Sequence, residues 1–106
     1  MKRSEFLQLA NSGDKIQNKH FIAIYAPSRF QRTRLGVTVT RNVGKATTRS
    51  RIKRFTREHF RLNKHKMTGC RDINIISKKE AAKLTSTEAF LSLQNIFEGI
   101  SRHRDS

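Results

Sequence analysis

The strongest constraint on how this 106-residue chain can fold is one segment, residues 47–63, where apolar and cationic positions alternate at helical spacing. Ile52, Phe55, Thr56, His59 and Phe60 recur at i, i+3, i+4, i+7 and i+8. On a helix turning about 100° per residue these fall on one side. Arg51, Lys53, Arg54, Arg57 and Arg61 sweep round the other, with Arg49 at the boundary. Such a helix does not stand alone. Its stripe must be covered by the rest of the chain, and like charges on successive turns repel.

The flanking sequence supplies a platform. Residues 20–26 predict a strand with Phe21, Ala23 and Tyr25 on one face and Ile22 and Ile24 on the other, ended by Pro27. Residues 35–40 alternate, with Leu35, Val37 and Val39 facing inward. These two strands are expected to pair antiparallel through the basic connection Ser28 to Arg34. Residues 72–77 predict a third strand, and a further short one around Ile16 carries the faintest pattern. Residues 4–11 predict a short helix with Ser4 as N-cap, Gly13 as terminator, and Phe6, Leu9 and Ala10 on one face. Residues 41–46 predict a polar turn centred on Gly44. Thr85 and Glu88 have capping-box spacing before Ala89, Phe90, Leu93, Ile96, Phe97 and Ile100. The expected architecture is therefore α+β: one domain over 1–106 with a frayed tail at 101–106, and one mainly antiparallel sheet with helices in the order α-β-β-(β)-α-β-α. General chain statistics would make the crossover through the basic helix right-handed.

Charge narrows the function. Lys and Arg number 23 against 8 Asp and Glu, a net +15. Residues 41–66 hold ten of the basic residues and a single acid, Glu58, whereas 67–106 is close to neutral. A basic tail would carry its charge at one end; here it lies between two strands and belongs to the folded unit. A polyanion is the natural counterpart, nucleic acid first and an anionic membrane surface second. A charged helix face is ordinarily just solvated, but such faces mix Glu with Lys. Arginine, favoured here, offers a planar fork suited to phosphate. A strand precedes the basic helix where a helix-turn-helix would need a packed helix, so a structured RNA fits better than duplex DNA.

Other classes recede. No apolar run approaches the roughly 20 residues that span a bilayer. Met1 to Glu5 lack the apolar stretch of a secretory signal, and a lone Cys70 excludes an internal disulfide framework or a multi-cysteine zinc site. A cytoplasmic protein is expected. His20, His59, His65 and His103 are scattered, His59 on the apolar stripe, and Asp14 and Asp72 stand apart from other acids in the sequence. No catalytic residue and no protein-borne metal ligand are expected.

Residues 34–61, from Arg34-Leu-Gly-Val-Thr-Val-Thr-Arg-Asn-Val-Gly-Lys-Ala through Arg49-Ser-Arg-Ile-Lys-Arg to Arg57-Glu-His-Phe-Arg61, resemble the signature of the bacterial ribonuclease P protein family. Ser4-Glu5-Phe6 and the segment Asp72 to Lys78 resemble its opening helix and later strand, so the likeness covers about residues 2–100. It implies a ribosomal-protein type of α+β fold with a left-handed βαβ crossover, reversing the generic expectation. It also implies a protein subunit that binds a large catalytic RNA and the 5′ leader of precursor tRNA. RNA and its Mg²⁺ ions would carry the hydrolysis, and no obligate protein partner is implied. Position by position, Arg49, Ser50, Arg51, Lys53, Arg54, Arg57 and Arg61 match the basic helix, and Arg41 and Lys45 the turn before it. Phe6, Ala10, Ile22 and Ile24 match the cleft for the single-stranded leader. Phe6 suits base stacking or core packing, and Ile22 and Ile24 suit leader contact or packing. Ser50 stands where the family carries Asn, Ala10 where it often has a second aromatic, and Ile24 where an aromatic is frequent. The cleft is therefore expected to stack less and to discriminate leader bases weakly. Two rival readings are a structural, ribosomal-type RNA-binding protein and a protein-only nuclease.

Overall fold

A computed structural model describes residues 2–64 and 69–102. In chain order it contains α1 (Arg3–Ser12), β1 (Asp14–Gln17), β2 (Phe21–Pro27), β3 (Arg34–Thr38), α2 (Ala46–Asn63), β4 (Arg71–Ser77) and α3 (Ser86–Arg102). Two 3₁₀ segments, Arg41–Val43 and Lys79–Lys83, precede α2 and α3. α3 includes Ser101 and Arg102; the rest of the expected tail, 103–106, lies outside the described residues, as do His65 and His103.

The four strands lie in the order β1-β2-β4-β3. β1 and β4 each pair antiparallel with β2, and β3 pairs parallel with β4. The expected direct pairing of 20–26 with 35–40 does not form, because β4 lies between them. Burial explains the order. Ile73 and Ile75 are fully buried, and Arg71, Asn74 and Ser77 are buried beside them. β4 therefore takes a central position, whereas β3, with half-buried Arg34 and Thr38 at its ends, takes an edge. Parallel neighbours need a long crossover, and α2 is that crossover.

The core lies on one face of the sheet. Phe21, Ala23 and Tyr25 of β2 and Ile73 and Ile75 of β4 meet Ile52 and Phe55 of α2 and Leu93, Ile96, Phe97 and Ile100 of α3. His59 is buried and stacks on Phe97 with ring centroids 5.4 Å apart, so it is the packed histidine that the stripe implies. Thr85 and Glu88 cap α3 reciprocally: the Thr85 N–H donates to Glu88 Oε1 (3.0 Å) and the Glu88 N–H to Thr85 Oγ1 (3.2 Å).

α1 covers part of the opposite face. Its N-cap is Lys2, not Ser4, because Glu5 draws the helix start back by accepting the Lys2 N–H at 2.7 Å. Gly13 ends it as expected, with its N–H donating to Leu9 O at 2.8 Å. The requirement for glycine there is steric: a Cβ would lie 2.6 Å from Leu9 O and 2.8 Å from Ile24 Cγ2.

Candidate nucleic-acid interface

Gly44 sets the start of the basic helix. Its φ of 156° and ψ of −165° lie in a region that glycine alone occupies readily, and buried Val43 anchors the turn before it. α2 then begins after Lys45 with no side-chain cap and no acid in its first turn. Its buried residues are Ile52, Phe55, Thr56 and His59, while Phe60 is half-buried. The stripe therefore lies where its spacing places it.

Packing fixes where the charge goes. Arg41, Lys45, Ser50, Arg51, Arg54, Arg57 and Arg61 are exposed, and Arg49 and Lys53 are half-buried on one flank. Ser50, Arg54, Arg57 and Arg61 line a shallow hollow with Glu58, and Ser50, Arg51 and Arg54 line a second with Ala46 and Thr47. The short side chain of Ser50 is common to both. No ion pair joins a cation of α2 to a carboxylate among the described residues. Arg51 donates from Nη2 to Ala82 O (2.7 Å), and Arg54 lies 5.7 Å from the Phe55 ring centroid. Arg49 Nε is buried with no hydrogen-bond partner. A buried donor left in this state costs free energy.

The other expected cluster lies across the sheet. Ile22 and Ile24 point to the face opposite the core and are half-buried, with Ile22 paired to Ile76 and Ile24 to Asn74. Phe6 is half-buried on α1 and Ala10 is exposed. The cationic helix and these four residues do not share one surface: α2 packs on the core side, and the edge strand β3 separates the two.

One ionic cluster is absent from the sequence expectations. Arg34 donates from Nε and Nη2 to Asp72 Oδ1 and Oδ2, both at 2.8 Å, and lies 2.7 Å from Glu5 Oε2. Hydrogen bonding to Arg34, helped by the Lys2 N–H, holds the Glu5 carboxyl down at about 2. Arg34 likewise lowers Asp72 below the usual carboxylate range. The cluster ties α1 to β3 and β4. The signal that could have revealed it is the Arg34–Asp72 register of a parallel pair, legible only once β3 and β4 are known to be neighbours. Among the described residues no three His, Cys, Asp or Glu side chains come together as a metal site, and no helix is long and apolar enough to cross a membrane.

This geometry has close counterparts. The family model described as Ribonuclease P matches residues 1–101. The chain is 47% identical over 100 residues to the ribonuclease P protein component of Desulfatibacillum aliphaticivorans, covering 94% of this chain and 85% of that one. It is 44% identical over 102 residues to that of Desulforapulum autotrophicum, covering 96% and 87%. The solved structure of the RNase P protein from Thermotoga maritima superposes with a TM-score of 0.84 at 31% identity, covering 92% of each chain. With its sequence signature, its strand order and these matches in agreement, the chain belongs to the ribonuclease P protein family.

Proposed function

We propose that this chain acts as the protein subunit of ribonuclease P in the cytoplasm, binding the catalytic RNA through α2 and receiving the 5′ leader of precursor tRNA over the open face of the sheet. The observation that carries this reading is the cationic side of α2, held rigid by its buried stripe and neutralised by no carboxylate among the described residues. Arg41 and Lys45 extend that side at the N-terminal turn, followed by Arg49, Ser50, Arg51, Lys53, Arg54, Arg57 and Arg61. A helix fixed before binding loses little conformational freedom when phosphates dock, so its charge serves affinity directly. Phe6 offers a ring for an unpaired base, and Ile22 and Ile24 offer apolar floor. Ala10 and Ser50 offer less than an aromatic and an amide would, so leader recognition depends on shape and charge more than on base identity.

Two of the carboxylates are not free to hold a metal. Glu5 and Asp72 are already bonded to the Arg34 guanidinium. In this reading Mg²⁺ in the working particle belongs mainly to the RNA, which would supply the hydrolytic chemistry, with the protein alone inactive.

Reconstitution tests this. Purified protein with its cognate catalytic RNA and Mg²⁺ should cleave precursor tRNA at the mature 5′ end at Mg²⁺ levels too low for the RNA alone. Cleavage by the protein alone would indicate a nuclease, and no stimulation would indicate a structural RNA binder. Arg49→Ala and Lys53→Ala should weaken assembly with an unchanged melting temperature. Arg54→Ala and Arg57→Ala should each lower the slope of log affinity against log salt by about one.

A further inference from the structure

At the end of the sheet where β3 and β4 begin, the β2–β3 connection presents Arg29, Phe30 and Arg32, all exposed. Phe30 is 49% exposed, unusual for so large an apolar side chain. It is not loosely held. The Arg34 guanidinium carbon lies 4.4 Å from its ring centroid, and Arg34 is itself fixed by Asp72 and Glu5. The Phe30 N–H donates to Ser28 Oγ (3.1 Å), and the Ser28 N–H to Cys70 O (2.9 Å). The ring is thus backed by a planar cation while about half of the residue stays exposed, and Arg29 and Arg32, bonded to no carboxylate among the described residues, flank it. An aromatic face with adjacent positive charge is the arrangement that holds an unpaired nucleobase and its phosphates.

We propose that Phe30 is a second base-stacking platform, taking one unpaired base of RNA while Arg29 and Arg32 engage the neighbouring phosphates. This rests on the RNA-binding role proposed above and adds a contact outside α2 and outside the cleft at Phe6, Ile22 and Ile24. The base could come from the catalytic RNA or from the precursor leader; the chemistry is the same.

The test uses full-length protein carrying Phe30→Ala, Phe30→Leu or Phe30→Trp. Affinity is measured for the cognate catalytic RNA alone, and then, in the assembled holoenzyme, for precursor tRNA with a long or a trimmed leader. Phe30→Ala and Phe30→Leu should each lose about 5- to 150-fold in one arm, and Phe30→Trp should stay within about twofold of wild type. Loss with catalytic RNA alone places the base there; loss confined to the long leader places it in the substrate. Arg29→Ala with Arg32→Ala should lower the salt slope by about two in the same arm, which keeps the test valid if Phe30→Ala proves poorly folded. Wild-type binding in both arms with all variants indifferent overturns the proposal. Failure of the wild type itself to bind catalytic RNA overturns the parent reading.

Discussion

Replacing Gly13 with alanine sets two effects of opposite sign against each other. The backbone there, φ −78° and ψ 157°, is one that alanine adopts freely. Restricting the unfolded chain would therefore stabilise the protein by about 0.4–1 kcal/mol. Against this, the new Cβ would lie 2.6 Å from Leu9 O and 2.8 Å from Ile24 Cγ2, short of the 3.4 Å at which ordinary contact begins by 0.8 and 0.6 Å. One of these neighbours is backbone and the other is a branch close to the main chain, so neither can swing aside. Relief requires the last turn of α1 to loosen around Leu9 and the helix end to shift away from Ile24 of the sheet, and overpacking of this kind costs about 1–3 kcal/mol. The steric effect wins, with a net loss of about 1–2 kcal/mol. For a domain of this size each kcal/mol lowers the Tm by about 4–8 °C. Because α1 carries Phe6, the same displacement should weaken precursor binding by the holoenzyme more than it weakens binding of catalytic RNA to the protein. Thermal unfolding followed by circular dichroism, with affinity measured for both RNAs, checks both parts. A Tm equal to or above wild type would refute the steric argument, and equal losses for the two RNAs would refute the link to the cleft.

Gly99→Ala in α3 sets a gain of about 1 kcal/mol in helix propensity against a Cβ within 2.1 Å of Ile16 Cδ1, the far end of a side chain that can turn aside, so its urea midpoint should stay at or above that of wild type. Adding Ile16→Val removes that atom and leaves the next contact at 3.5 Å, so urea midpoints of the two single variants and the double should show a coupling below about 1 kcal/mol; a larger one would show that Ile16 cannot turn aside. Asn18→Ala should cost about 2–4 kcal/mol by chemical denaturation. Its Oδ1 accepts the His20 and Phe21 N–H groups at 2.9 Å, and its Nδ2 donates to Ser92 O and Oγ at 3.0 Å. The depressed carboxyls of Glu5 and Asp72 add stability that is fully present above the ordinary carboxylate value. It is lost as pH falls from about 4.5 towards the Glu5 value of about 2. The urea midpoint should therefore drop across that window, and Glu5→Gln should flatten the drop; a pH profile unchanged by the substitution would contradict the assignment.

The residues differ in how far their roles could be read in advance. Ile52, Phe55, Thr56 and His59 declare their face within two turns of one helix, and all four are buried. Thr85 and Glu88 declare their cap three positions apart, and both hydrogen bonds form. The alternation at Phe21, Ala23 and Tyr25 separates core from open face correctly. The basic side of α2 follows from the same periodicity, since whatever the stripe does not occupy must face outward. All of this is local geometry, set by bonds within one or two turns of the chain.

Strand order is a different kind of quantity. Nothing in residues 20–40 records that β4, some thirty residues later, will insert between β2 and β3; that follows from which strand can bury both faces in competition with the others. The Arg34–Asp72–Glu5 cluster, the rigid Phe30 beside it and the separation of the basic helix from the open face all depend on that order. The basic helix, its charge and the family signature are legible from residues alone, because they are encoded between near neighbours. The tertiary structure alone decided which arginine is bonded to carboxylates, and which are left free for a polyanion, because that is settled by residues far apart in the chain competing for the same buried space.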